Sequence, residues 1–564
     1  MLPPLADTTV AWGGSLTQLT TTFVTRYCGT LCSMNRSLDK KIAGVMIPLF
    51  SIRTRENFGI GEILDLIPFI DFMVEHHLSL VQILPINEVM QEETSPYNAL
   101  TSFAFDPIYI SLHACADFLE CDEAQAEAAQ SDVKKWQDSP HVCYEEIRAF
   151  KFRVFEMIYA HFKESEHSLQ EGDSLRAKSF QSFIKNQCEW LEEYSLFRLL
   201  YEQHGNFINW PDAFRNRNAD AIAGIKEAGR ERLLFFKYLQ FLAWEQWQKV
   251  KTYAQSKNVF IIGDIPFLVG RESADVWSRP DLFPEDGVVG APPDDFTEEG
   301  QFWGLPMFSF SKMEENNFQW WRQRISFAQG LYDIIRLDHV VGFFRTWIFP
   351  NEGSPYFDPG DETAQKERGK RFLEVFLESA GDAMLIAEDL GVIPSFVYER
   401  LYKLRIPGMK ITRWQKRGSK YLHPKIYPWL SLCTTGTHDT TPMALWWNDL
   451  ALEERVSFLA MLDKKQILSA EAPFTDPLHQ LMVSSMLEAG SMMAILPFQD
   501  ILGFSNQINQ PGTVSETNWR YRMPDYIDAL CDHPLWKDKL EFLKKAIIQH
   551  DRAGVASLVE LRGL

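Results

Sequence analysis

Eight short, mainly apolar runs limit what this chain can fold into. They are Val45–Phe50, Leu80–Ile86, Val259–Phe267, Tyr332–Asp338, Met384–Asp389, Gly408–Arg413, Leu432–Thr437 and Met492–Phe498. Each is shorter than an ordinary helix and mainly apolar without strict alternation, as suits a strand buried on both faces. Longer amphipathic stretches separate most of them. The repeated βα pattern predicts a parallel sheet, and eight such units predict a (β/α)8 TIM barrel.

The spacing is uneven in one place. From Ile86 to Val259 the chain is far longer than a single crossover requires. Within 142–164, Ile147, Phe150, Val154, Ile158 and Phe162 recur at three- and four-residue steps, one face of a helix. Residues 229–254 alternate apolar positions with Arg232, Lys237, Glu245 and Lys249 in a similar way. The expected organisation is a catalytic barrel over 41–564 with a mostly helical insertion at 107–258 between the second and third strands. A Thr-rich, loosely specified leader over 1–40 precedes it, in which Met34 is a candidate start.

Charge narrows the partners. Lys+Arg total 56 against 76 Asp+Glu, a net charge of −20. Such a surface repels phosphate backbones and anionic lipid, so neither nucleic acid nor membrane is expected as a partner. No apolar run approaches the roughly 20 residues that span a bilayer. Eight cysteines in 564 residues are too sparse for a disulfide framework. The closest pair, Cys28 and Cys32, lacks a second pair at zinc-ligand spacing. The first residues lack the charged start and apolar core of a secretory signal, so a reduced cytoplasm is expected. No HExxH, P-loop or EF-hand loop occurs, and the lone GxG at Gly59 and Gly61 is too weak to support a nucleotide site. Neither heptads nor an interface stripe indicates an oligomeric state.

The residues that end these runs carry the chemistry. Arg336-Leu337-Asp338-His339 ends the fourth, Glu388-Asp389-Leu390-Gly391 the fifth and Gly436-Thr437-His438-Asp439 the seventh. In a barrel these ends open on the same C-terminal face, where active sites of this fold lie. Taken singly, an Asp or Glu after a buried strand is as well read as a helix N-cap or turn former. A lone His438 is more often a satisfied polar residue. Three converging carboxylates, however, suit glycosidic-bond chemistry: one attacks, a second protonates the leaving oxygen, and a third orients sugar hydroxyls. A separation of about 5 Å between the first two gives a covalent intermediate and retained configuration. Arg336, two residues before Asp338, faces the same side of its strand and is placed to hold that carboxylate ionised.

Aromatic residues make up 13% of the chain, most of them expected in the core. The loop Gly287–Phe310 is more pointed. Gly and Pro punctuate it, so it is a shaped loop over the catalytic face, with Phe302 and Trp303 as either a sugar platform or part of a structural lid.

From about Gly44 to Arg522 the chain resembles the 4-alpha-glucanotransferases called amylomaltases or disproportionating enzymes, glycoside hydrolase family 77. The resemblance rests on Asn57-Phe58-Gly59-Ile60-Gly61, Ser95-Pro96-Tyr97, Trp190-Leu191-Glu192-Glu193-Tyr194, Gly263-Asp264-Ile265-Pro266 and Ser273-Ala274-Asp275-Val276-Trp277. It continues through the Pro292-Pro293-Asp294 loop, Ile406-Pro407-Gly408-Met409-Lys410, Pro511-Gly512-Thr513 and Asn518-Trp519-Arg520. It implies Asp338 as nucleophile, Glu388 as general acid/base and Asp439 as transition-state stabiliser. It further implies Arg336, His438 and Tyr97 around the −1 sugar, Asp294, Gln301 and Trp303 on the acceptor loop, and Asn509 as another sugar contact. The fold it implies is the elaborated barrel without the C-terminal β-domain usual in α-amylases, and it implies no cofactor. Donors and acceptors would be maltooligosaccharides and α-1,4-glucans.

Two departures from the family pattern stand out. The usual Gly-Thr-His-Asp-Asn-Asp-Thr reads Gly-Thr-His-Asp-Thr-Thr-Pro, which removes polar groups beyond Asp439. Asp295 stands where many members carry a tyrosine able to stack on a sugar. The expected activity is double displacement, with transfer outrunning hydrolysis because the acceptor excludes water. Glu388 is expected to have a pKa raised toward neutral. The rivals are a glucan hydrolase, separated by its products, and a catalytically silent glucan binder.

Overall fold

The computed structural model describes residues 35–165, 174–293, 300–462, 468–513 and 515–560. Eight strands form its central sheet: β1 (Ile42–Met46), β2 (Leu80–Gln82), β3 (Phe260–Ile265), β4 (Ile334–Leu337), β5 (Met384–Ala387), β6 (Gly408–Ile411), β7 (Ser431–Thr434) and β8 (Met493–Pro497). Every one lies on or overlaps an apolar run of the sequence. The first is displaced: Pro48 has no N–H for a ladder, and Leu49–Ser51 turns into a 3-10 helix where a strand was expected.

All neighbouring strands run parallel, in the order β5-β4-β3-β2-β1-β8-β7-β6. The ends β5 and β6 meet without a regular ladder, and side chains complete the closure. The Ala387 N–H donates to the Pro407 carbonyl at 2.8 Å. The buried Asp389 accepts the Met409 N–H at 2.6 Å. Near the other end of β5, Asn35 accepts the Leu385 N–H at 2.8 Å and donates to the carbonyls of Leu385 and Arg405 at 2.7 and 3.1 Å. Gly408 leaves room for this arrangement, since a Cβ there would lie 2.1 Å from Asp389 Oδ2. The result is a TIM barrel.

The leader expected over 1–40 is built into the fold from Asn35 on. Arg36–Leu38 pairs antiparallel with Leu558–Glu560. Residues 1–34, including Cys28, Cys32 and Met34, lie outside the described residues.

Between β2 and β3 the chain runs largely through helices, among them α1 (Tyr144–Ser165), α2 (Cys188–His204) and α3 (Arg230–Ser256). The stripe Ile147, Phe150, Val154, Ile158 and Phe162 on α1 is fully buried. Buried ion pairs fix the same helix to the barrel loops. Arg148 makes two 2.8 Å bonds to Asp106, and Lys151 donates to Glu62 at 2.5 Å and to the carbonyls of Ile108 and Ile110.

A four-stranded antiparallel flap follows β3 and β4, with Gln301–Pro306, Gly287–Ala291, Thr346–Pro350 and Tyr356–Asp358 in that spatial order. Among the described residues no helix is long and apolar enough to cross a membrane.

Candidate active site

Parallel pairing places Asp264 of β3 and Ile386 of β5 in register with Arg336 of β4. The two-residue period of a strand sends Arg336 and Asp338 to one side. At the C-terminal ends of these strands, Arg336 holds a group of three carboxylates. Its Nη1 donates to Asp264 Oδ2 and, at 3.3 Å, to Asp338 Oδ1, while Nη2 donates to Glu388 Oε2 at 2.8 Å. Arg336 is buried, with Asp338 and Glu388 opening on the cleft at 22% and 20% side-chain exposure.

Backbone donors complete both carboxylates. The chain turns left-handed at His339 (φ 43°), and the His339 N–H donates to Glu388 Oε2 at 3.0 Å. The Phe267 N–H donates to Asp338 Oδ2 at 3.2 Å. Asp338 and Glu388 sit side by side under Arg336, so each charge acts on the titration of the other.

The second half of the site comes from β7 and the C-terminal segment. Asp439 is open to solvent; His438 Nε2 lies 3.3 Å from its Oδ2, and Asn509 Nδ2 donates to its Oδ1 at 2.6 Å. Desolvation works against this charge, but His438 and the Asn509 amide outweigh it and hold the carboxyl below its ordinary value. Tyr97 joins the halves. Its hydroxyl donates to Asp264 Oδ2 at 2.7 Å, and its ring stacks on His438 with centroids 5.0 Å apart. Trp519 packs against both rings at 5.8 and 5.7 Å.

Seven residues singled out from the sequence therefore meet in one cleft: Tyr97, Arg336, Asp338, Glu388, His438, Asp439 and Asn509. Trp303 reaches it from the flap, its ring edge-on to His339 at 5.0 Å, and its indole N–H donates to Gln301 at 3.2 Å. Phe302 projects outward, 68% exposed, against Phe349. Asp294, with Asp295 and Phe296, lies outside the described residues.

The sequence reading gave Asp264, His339, Arg413 and Trp519 no role. Asp264 ends a barrel strand as the three expected carboxylates do, and that position was a usable signal. Arg413 is visible only in three dimensions: it donates to the Thr435 carbonyl at 3.1 Å and to the Thr441 hydroxyl and carbonyl at 3.2 and 2.9 Å. The Thr440 hydroxyl accepts the Thr437 N–H at 2.9 Å. The Thr-Thr-Pro departure thus keeps a tethered turn beside Asp439.

The expected rise in the Glu388 pKa is corrected. Burial works upward on Glu388, but Arg336, Asp338 and the His339 N–H together hold it below its ordinary value. The raised carboxyl is Asp338, pushed up by burial and by the Glu388 charge. The cause is geometric, because Arg336 approaches Glu388 more closely than Asp338.

The 4-alpha-glucanotransferase family model matches residues 47–528. A 4-alpha-glucanotransferase of Chlamydia pneumoniae is 33% identical over 513 residues, covering 88% of this chain and 94% of its own. One from Synechocystis sp. is 30% identical over 518 residues, covering 88% and 97%. The amylomaltase of Streptococcus agalactiae, solved in complex with acarbose, has the same fold at a TM-score of 0.76, with 24% identity over 91% of this chain and 100% of that one. The amylomaltase of Corynebacterium glutamicum superposes at 0.74, with 21% identity over 90% of this chain and 75% of that chain. The match over most of the chain, with relatives at 30% identity and above, places this chain in the 4-alpha-glucanotransferase family.

Proposed function

We propose that this enzyme moves α-1,4-linked glucan segments from a donor maltooligosaccharide or glucan to the 4-OH of an acceptor by retaining double displacement. The observation that carries this reading is the Arg336 fork, which donates to both Asp338 and Glu388 at the open end of the barrel.

Asp338 is the nucleophile and Glu388 the acid. In the active form the pair carries one proton, and a glucosyl ring entering the cleft must leave it on Glu388, freeing the Asp338 carboxylate to attack the anomeric carbon. Glu388 gives that proton to the leaving 4-oxygen as the bond to Asp338 forms and the glycosidic bond breaks. It then takes a proton from the acceptor 4-OH, whose oxygen displaces Asp338. Arg336 donates to both carboxylates throughout and meets the charge that develops on each. Asp439, held by His438 and Asn509, faces the sugar hydroxyls, and Tyr97 lies beside the −1 ring. On this reading Gln301, Trp303 and Asp294 bind the acceptor and keep water from the intermediate.

The working unit is the barrel from Asn35 on, with 107–258 as its helical insertion. The cysteines described (Cys115, Cys121, Cys143, Cys188, Cys433 and Cys531) are free thiols, which favours a reducing cytoplasm. A net charge of −20 favours neutral glucans over phosphate polymers as ligands.

The assignment is tested with Glu388→Gln and α-maltosyl fluoride, whose leaving group departs without a proton. A maltosyl ester should accumulate on the peptide containing Asp338, read by mass spectrometry. An adduct on another carboxylate, or fluoride release with no adduct, overturns it.

A further inference from the structure

Three buried polar atoms with no hydrogen-bond partner among the described residues line one small cavity: Asp264 Oδ1, Ser102 Oγ and Arg324 Nη1. The space open to the centre of a water molecule is about 20 Å³, enough for a water. Asn87 adds a fourth polar side chain, and the remaining wall is mostly apolar.

Arg324 sits on the helix Gln319–Leu331 that leads into β4 and is 4% exposed. Its guanidinium lies 4.9 Å from the Trp321 ring and 5.3 Å from that of Trp320. Asp275, the anion that acts most strongly on Arg324, already accepts the Ser102 N–H at 2.7 Å and the Trp320 indole N–H at 2.8 Å. An isolated cation in such a place is costly unless something answers it.

Asp264 is the other half of the problem. Its Oδ2 accepts from both Arg336 and Tyr97, whereas its Oδ1 faces the cavity alone. An anion there would lie against the Asp264 carboxylate. Water can accept from a guanidinium and donate to a carboxylate, which is what this donor set requires.

We propose that ordered water in this cavity accepts from Arg324 Nη1 and donates to Asp264 Oδ1, making Arg324 a positioning residue for the catalytic carboxylates. The chain of contacts runs from Arg324 through water and Asp264 to Arg336, and from there to Asp338 and Glu388. Through the water Arg324 holds the second oxygen of Asp264 in place, so that Nη1 of Arg336 stays anchored and Nη2 stays on Glu388. Burial pushes Arg324 down to about 10, with Asp275, Asp338 and Asp264 working upward, so it is charged at neutral pH.

The inference rests on the proposed roles of Asp338 and Glu388, and the test keeps the two apart. Loss of the Arg324 charge removes a cation that favours ionised Asp338. In Arg324→Met the alkaline limb of kcat/KM, set by Asp338, should therefore move to higher pH by roughly half a unit or more, with kcat down about tenfold and KM little changed. Arg324→Lys should recover part of the shift, because the charge returns without the planar fork. A purely structural residue would lower stability and leave the limb in place. An unmoved limb in folded Arg324→Met overturns the inference, as does a crystal structure of the wild-type enzyme with no water joining Arg324, Asp264 and Ser102. Transfer that survives in both Asp338→Asn and Glu388→Gln would instead refute the underlying assignment.

Discussion

At the scale of single residues, Arg336 decides how the site titrates. Its closer contact with Glu388, reinforced by the His339 N–H, holds that carboxyl low, while burial and the neighbouring charge push Asp338 up. On the proposed mechanism the active form carries one proton across the pair. kcat/KM should therefore rise with pH through a value below the ordinary Glu range of about 4.3, and fall through one well above the ordinary Asp value of about 3.9. A narrow bell with both limbs near 4 would contradict this charge arrangement. Asp338, Glu388 and Asp439 were legible because each ends a recognisable buried strand. The distribution of charge among them was not, because it depends on the cross-strand register that sets Asp264 beside Arg336.

At the scale of elements, the barrel depends on its one seam without a regular ladder. Asp389 replaces ladder bonds there, and Asp389→Ala would leave the Met409 N–H unpaired beside Gly408. A loss of about 1–3 kcal/mol in unfolding free energy is expected by urea denaturation. An unchanged midpoint would mean that the backbone bond from Ala387 to Pro407 closes the seam alone. The flap makes a different prediction. Trp303 connects it to His339 at the catalytic turn, so Trp303→Ala should raise the share of donor lost to water, read as products no longer than the substrate. An unaltered ratio of transfer to hydrolysis would remove Trp303 from the acceptor side. The strands were legible from apolar runs alone. The seam was not, since Asp389 reads in sequence as one more acidic residue after a strand, and its partner lies across the closure.

At the scale of the whole molecule, the helices between β2 and β3 support the site as well as covering the barrel. Tyr144, at the start of α1, donates to the Trp519 carbonyl at 2.8 Å, and Trp519 packs on Tyr97 and His438. The periodicity of α1 revealed its buried face. It could not reveal that Arg148 and Lys151 on the same helix are buried and paired with Asp106 and Glu62, because those partners come from separate barrel loops. On the proposed mechanism an acceptor sugar in the cleft competes with water for the intermediate. The measurement that tests this most directly is incubation of the purified enzyme with maltotriose alone, followed by separation of the products by size. Glucose together with a ladder of maltodextrins longer than the substrate is the predicted result; glucose and maltose with nothing longer would contradict it.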